Sequence, residues 1–305
     1  MKAPYVRKPE YLSPSSLKQV ERDPVAFYLA RCGPEEARPP KEQQIIQMCV
    51  GTAFDAFVKE AIGKELQIPC PPLEELLKGI EEPSLRKDAM EIGGVLFKNY
   101  EKLGCLAALI KEGVREVDLK PERTVVPGTA RQLLGREMGG VPIFGYPDAL
   151  LVMSDGTRVV LDWKTTTSGS PAPGYLRRFH SQNPMMRYEA PHERHGEPLE
   201  SLSQDWADQL ATYSWLLRDH VGLGESFKPC HAAIDQVVYK LSEDKKTVIQ
   251  VQVAQYRTFI SGPHQVELRE RYKRAWDAIQ EELLVQDPEL IRLLNSDPLM
   301  ARMMR

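Results

Sequence analysis

Two aspartates and a lysine set out the chemistry open to this 305-residue chain. Asp148 closes the tetrapeptide Gly145-Tyr146-Pro147-Asp148, and Asp162 opens the triplet Asp162-Trp163-Lys164, with Ser154-Asp155-Gly156 midway between them. The flanking segments, VPIFGYPDALLVM and TRVVLDWKT, read as two strands joined by a hairpin turn. Folded about Asp155, positions 148 and 162 fall opposite each other, where directly paired side chains stand roughly 4.5–5.5 Å apart at Cβ. Carboxylates that close repel unless one is protonated or a cation lies between them, and a hard divalent ion with oxygen ligands answers that need. Lys164 lies two residues beyond Asp162 and so projects from the same face, whereas Trp163 points the other way, into the core. Such a set suits metal-assisted phosphodiester hydrolysis. The acids would hold Mg²⁺ or Mn²⁺, the metal would polarise the phosphoryl oxygen and acidify a water, and the lysine would orient that water or stabilise developing charge. A surface ion pair is the plainer explanation of an isolated Asp-x-Lys. Here the charges sit within otherwise apolar strands, where they are seldom buried without a partner or a job.

The elements around the hairpin must position these groups. After the second strand comes a stretch without apolar periodicity, from Thr167 to Gln204, rich in proline and charge; a gap that long reads as a functional or disordered loop. It carries Arg177, Arg178, His180, Arg187, His192, Arg194 and His195, which is either a stripe for a polyanion or a solvated polar loop. An amphipathic helix, WADQLATYSWLLRDHVG, follows, and on it Gln209 and Tyr213 are four apart and share a face. Tyr213 taken alone could equally be a core aromatic. Next, HAAIDQVVYKL and TVIQVQVAQY form a second hairpin, and the tail from PHQVELRERYKRAWDAIQEELL onward reads as helical.

Upstream, Ser13 and Pro14 mark a helix start, with a break expected before Pro24. A second helix runs from about Ile45 through GTAFDAFVKEAIG, a short one lies in the proline-rich 69–85 segment, and a long one spans roughly 85–111. The texture changes at Val114, where VREVDLK alternates like a strand. Helices, three strands, a helix, two strands and a helix give a mixed α/β (α+β) core with hairpins, not the alternation of a doubly wound sheet. No repeat and no firm domain boundary is visible. The organisation expected is one domain over 1–305: an N-terminal helical portion (12–111), a catalytic sheet with its helix (112–256), and C-terminal helices (257–305).

With these elements in place, the chain resembles the PD-(D/E)xK nuclease superfamily, Gly145–Asp148 serving as first motif and Asp162-Trp163-Lys164 as second. The pair Gln209/Tyr213 is similar to the QxxxY motif of the RecB-like branch, whose members degrade or nick DNA ends. LSPSSLKQVERDPVAFYL looks like that branch's opening helix, and Gly51-Thr52-Ala53-Phe54-Asp55 like its GxxxH helix, with Asp55 in place of the histidine ligand. The resemblance covers roughly residues 12–240. It implies a restriction-endonuclease-like mixed central sheet flanked by helices. It also implies Asp148 and Asp162 as metal ligands, with Asp55 or Glu116 and the main-chain carbonyl at Trp163 completing the shell. Lys164 would position the water, Gln209 and Tyr213 would support it, and the 168–204 loop would touch the strand. An aspartate can ligate Mg²⁺ or Mn²⁺ as well as an imidazole does. Asp55 could otherwise be a solvated helix residue, and Glu116, with Asp118 two residues on, part of a charged edge strand. The iron–sulfur cluster of some RecB-like relatives is not expected, because only Cys230 of the five cysteines lies in the C-terminal half.

Composition narrows the partners. The net charge of −3 gives no overall pull toward nucleic acid, although a carboxylate-rich metal site subtracts charge where a strand would be cut. No run of eighteen apolar residues and no apolar leader occurs, and the cysteines are scattered and odd in number, so the expectation is a reducing cytoplasm, prokaryotic or phage-infected, without a membrane. There is no GxxxxGK[ST], so a helicase would be a separate chain, as would a single-strand-binding or annealing protein. The reading is a Mg²⁺/Mn²⁺-dependent DNA exonuclease acting on single- or double-stranded ends in recombination, repair or phage DNA metabolism. The alternatives are a structure-specific or RNA-directed endonuclease and a catalytically quiet binding subunit on the same fold.

Overall fold

The structure, a computed structural model, describes residues 9–32, 43–129, 131–133, 136–167, 171–172, 174–182, 188–189, 197–217, 227–243 and 247–286. Seven strands form the main sheet: β1 (Val114–Val117), β6 (Ala149–Val152), β7 (Arg158–Thr166), β8 (Arg177–His180), β9 (Tyr188–Glu189), β10 (Cys230–Leu241) and β11 (Val248–Ile260). Their order is β1-β6-β7-β10-β11-β8-β9, with β7 and β10 parallel and every other neighbouring pair antiparallel. Two short hairpin-like pairs flank it: β2 (Thr124–Val125) with β5 (Pro142–Ile143), and β3 (Arg131–Leu133) with β4 (Arg136–Met138).

Helices cover both faces, because each central strand is apolar on both sides. Along β7, Val159, Leu161 and Trp163 enter a core with α3 (Ile46–Leu66), α5 (Pro83–Lys102) and α6 (Cys105–Glu112). Val160 faces the opposite core, built with α1 (Pro14–Arg22), α2 (Pro24–Cys32), α8 (Gln204–Leu216) and α9 (Gly262–Gln286). The remaining helices, α4 (Leu73–Leu76) and α7 (Leu199–Leu202), are single turns.

Local signals explain the entry to the fold. Ser13 Oγ accepts from Ser16 N–H and Pro14 occupies the first turn of α1, so that Leu17 and Val20 are buried. Asp23 ends α1, and its carboxylate then accepts from Ala26 N–H to start α2 before Pro24 can continue the first helix. Elsewhere the sequence misleads. The expected long helix over 85–111 is two helices, because Leu103 and Gly104 turn the chain. Strand β1 stops at Val117, since Asp118 takes a left-handed conformation (φ 52°). The proline-rich stretch after Thr167 holds a real sheet strand, β8, paired with β11; its residues are too polar to alternate visibly. There Arg177 pairs with Glu112 at 3.9 Å, Arg178 lies 5.4 Å over the Tyr175 ring, and His180 meets Gln250. The other four basic residues of that run lie outside the described residues. β11 also runs past its expected end, to Ile260. Among the described residues no helix is long and apolar enough to cross a membrane.

Candidate active site

The turn at Ser154–Gly156 fixes the register of the β6–β7 hairpin. Ala149 pairs with Leu161 and Leu150 with Val160, which carries Asp148 level with Asp162. Ala149 and Leu151 point into the α3/α5 core together with Leu161, so alternation turns the two aspartates and Lys164 to the other face. Asp162 is 2% exposed. Its Oδ2 touches Lys164 Nζ, and its Oδ1 accepts from Gln209 Nε2 at 3.3 Å. Lys164 Nζ donates to Gln209 Oε1 at 2.7 Å, and Gln209 Nε2 donates also to Tyr213 Oη at 3.0 Å. One amide thus ties lysine, aspartate and tyrosine together from a single turn of α8. Gln209 and Tyr213 face β7 because Ser203 caps α8 through Trp206 N–H, while Leu210, Trp215 and Leu216 bury its other positions.

The loop before Asp148 is clamped. A Cβ built on Gly145 would stand 2.6 Å from Tyr213 Cε1, so only glycine lets the chain pass this ring. Asp148 Oδ2 then accepts from the main-chain N–H of Trp163 at 3.3 Å, while the Trp163 ring is buried in the opposite core.

From the other side α3 delivers Asp55 and a lysine that sequence reasoning missed. A Cβ on Gly51 would lie 2.9 Å from Thr165 Oγ1, so glycine lets α3 run close along β7 and bring Asp55, one turn later, to the hairpin. Lys59 Nζ sits 2.7 Å from Asp55 Oδ2, 3.1 Å from Asp148 Oδ1 and 3.7 Å from Asp118 Oδ1. From sequence, Asp55 and Lys59 look like an ordinary helical i,i+4 surface pair; only the packing of α3 against β7 and β1 sets them beside Asp148 and Asp118. The structure brings together Asp55, Asp148, Asp162, Lys164, Gln209 and Tyr213. It does not bring in Glu116, which is exposed on β1. The left-handed turn at Asp118 breaks the alternation that would have put the two acids on one face, and Asp118 joins the site in its stead.

Burial and like charge set the electrostatics of the cluster. Burial pushes the Asp162 carboxyl up to about 7, with Lys164 pulling down and Asp148 pushing up. Burial, and after it Asp148, raise Asp55 well above the usual carboxylate range despite Lys59. Burial alone would lower Lys59; Asp148 and Asp55 outweigh it and hold the ammonium charged. Asp55 Oδ1 and Asp162 Oδ2 are buried with no donor aligned on them. Among the described residues no three acid, histidine or cysteine groups converge as a closed metal cage. Lys59 stands among the carboxylates instead. The donor set, all hard oxygens carrying more negative charge than two ammonium groups align with, fits a hard divalent cation.

A helix-flanked mixed sheet with opposed acids and a lysine at one hairpin is a restriction-endonuclease-like arrangement. The model of the PD-(D/E)XK nuclease superfamily matches residues 11–295, and the chain belongs to that superfamily. Membership makes it a nuclease, with nucleic acid as substrate. Solved structures that match include one described as the crystal structure of SSO0001, at 14% identity over 85% of this chain and 84% of that one. Its TM-score of 0.23 is too low to bear on fold or function. No curated protein matches the chain.

Proposed function

We propose that the protein is a metal-dependent DNA nuclease of the RecB-like branch, an exonuclease acting on DNA ends in recombination, repair or phage DNA metabolism. The observation that carries this reading is the bonded set Asp162–Lys164–Gln209–Tyr213 facing Asp148 across the hairpin. Asp148 and Asp162 would hold Mg²⁺ or Mn²⁺, with Asp55 and the carbonyl of Trp163 completing the shell. The bound metal supplies Lewis-acid polarisation of the phosphate and an acidified water. Gln209 keeps the Lys164 ammonium on the Asp162 face, where its charge meets the developing negative charge of the reaction. Tyr213, buried against Gly145, keeps Gln209 from rotating away. A separate helicase, single-strand-binding or annealing protein would supply substrate.

A second reading, a nuclease fold that binds without cutting, is favoured by one feature: the Lys59 ammonium lies between Asp55 and Asp148, 2.7 and 3.1 Å from their oxygens, and would compete with a metal for them. Cleavage of end-labelled linear and closed circular DNA in Mg²⁺, Mn²⁺ or EDTA, wild type beside Lys164→Ala, separates the readings. Metal-dependent loss of linear DNA alone, reduced at least about 10²-fold in the variant, is expected. Cutting of circles would replace exonuclease by endonuclease, and no cutting of any DNA or RNA would leave the binding subunit.

A further inference from the structure

Tyr146 has no part in the chemistry above, although it lies between Gly145 and Asp148. It is 56% exposed, the one aromatic among the exposed large apolar side chains of the described residues. Its ring is nevertheless braced. It meets Phe144 edge-on at 4.9 Å between centroids, Phe144 meets Tyr11 at 5.1 Å, and Arg123 lies 4.9 Å over the Tyr11 ring. Gly145, pressed on Tyr213, fixes the loop from its other end. A ring held this firmly yet left open on one side is a ready-made platform.

The platform borders a cleft of about 580 Å³, within the range of roughly 300–1,000 Å³ typical of small-ligand sites. Tyr11, Phe144 and Tyr146 line one wall; Lys18 and Arg31 lie on the α1/α2 side; Gln209, which holds Lys164, also lines it. Lys18 spends one donor at 2.8 Å on the exposed Asp205, which also lines the cleft, and keeps two; Arg31 leaves the cleft with net positive charge. Aromatic faces, two cations and a door to the catalytic lysine match one ligand chemistry: a planar base on a phosphate chain. In a duplex each base face is already covered by its neighbours, so only an unpaired nucleotide can lay a face on Tyr146.

We propose that this cleft is a stacking site for an unpaired base at a single-stranded DNA end, with Tyr146 as the platform and Lys18 and Arg31 as the phosphate contacts. It rests on the nuclease reading and deepens it by naming the substrate form. The nucleotide stacked there would lie next to the one presented to Lys164, so the site selects frayed or single-stranded ends.

Binding in EDTA tests this without turnover. The probes are a labelled 20-nucleotide dT strand, versions carrying 2-aminopurine at one end or the other, and a duplex closed at both ends by hairpins. The wild-type protein should bind the single strand more tightly than the closed duplex and quench 2-aminopurine at one of the two ends. Tyr146→Ala should weaken single-strand binding about 5- to 150-fold and abolish the quench, with duplex binding unchanged. Tyr146→Phe, which keeps the ring, should stay within about 2-fold. Equal weakening for single strand and duplex, a quench that survives in Tyr146→Ala, or no single-strand binding by the wild type overturns the proposal. Its failure is distinct from that of the nuclease reading. A protein that cuts DNA with metal but ignores Tyr146→Ala loses only the stacking site. One that binds and quenches through Tyr146 but never cuts loses only the nuclease.

Discussion

Asp162 on β7 and Asp235 on β10 are both buried, and they lie one strand apart in the parallel ladder, where Ile234 pairs with Asp162 and Asp235 with Trp163. They point to opposite faces and meet opposite surroundings. Asp235 accepts from Tyr100 Oη, from Gln255 Nε2 at 3.0 Å and from Arg257 Nη1 at 2.9 Å, and Arg257 is held in turn by Glu112 at 2.7 Å. Every oxygen of that carboxylate has a donor. Asp162 has a long bond from an amide, a lysine that touches without aligning, and a second aspartate whose charge repels it. A buried carboxylate ringed by donors is explained by the fold that supplies them; one set against a second carboxylate carries a repulsion that packing alone does not require. The same strand pair therefore carries a structural acid on one face and the proposed metal-binding acid on the other.

Substituting the two positions alike should pull the properties apart. Asp162→Asn is expected to cut DNA hydrolysis by roughly 10²–10³-fold or more while leaving the urea midpoint unchanged or higher, because it removes repulsion with Asp148. Asp235→Asn should do the reverse. Breaking a buried, hydrogen-bonded ion pair costs about 3–5 kcal/mol, so the midpoint falls while residual activity per folded molecule is kept. If Asp162→Asn unfolds the protein, or Asp235→Asn is the one that loses cleavage alone, the contrast is wrong.

The chemical face was the more legible of the two, for a physical reason. A period of two plus a turn at Ser154–Gly156 fixes which residues oppose, so Asp148 and Asp162 could be paired from sequence, and a spacing of four puts Gln209 and Tyr213 on one helical face. Lys59 was not legible, because its neighbour Asp148 is 89 residues away and nothing local distinguishes it from a surface lysine. Asp118 hid behind Glu116, since a left-handed turn at an aspartate leaves no mark in a strand-like string. The Asp235 network was equally dark. It joins α5, α6 and two strands, and HAAIDQVVYKL shows only one acid in an apolar run. Likewise β8 owes its existence to the open edge of β11 rather than to its own composition.

The clamp at Gly145 gives a smaller effect that sharpens the same contrast. In Gly145→Ala the new methyl would overlap the buried Tyr213 ring, so the loop, the ring or both must shift, at a cost of about 1–3 kcal/mol. Because Tyr213 holds Gln209 and Gln209 holds Lys164, a displacement near 1 Å is enough to lower cleavage by about 10²-fold. Cleavage should therefore fall further than the stability loss accounts for, measured as rate at saturating substrate on protein shown to be folded. Proportionate loss of both would mean that the loop merely packs, and that the chain from Gly145 to Lys164 transmits nothing.

The pH dependence of the metal-free protein reads stability apart from cleavage, and there two buried aspartates should act in opposite directions. Asp162 has a folded pKa near 7, above the unfolded value near 4, so the folded state binds the extra proton. Its contribution is fullest below about pH 4 and declines as pH rises toward 7. Asp208, on helix α8 next to Gln209, differs. Burial would raise it, but His264 at 2.9 Å and Arg271 at 2.7 Å more than reverse that and hold it below the usual range. Its contribution is present above about pH 4 and is lost as pH falls through its folded value. Urea midpoints in EDTA between pH 3 and 8 should show Asp162→Asn removing the decline between about 4 and 7, and Asp208→Asn removing the fall below 4. Adding Mn²⁺ at pH 7 should then raise the wild-type midpoint, since a ligand of the folded state stabilises it, and should raise that of Asp162→Asn much less. A midpoint in Asp162→Asn that climbs with Mn²⁺ as steeply as in wild type would mean that this acid is not a ligand and that its high pKa reflects burial alone.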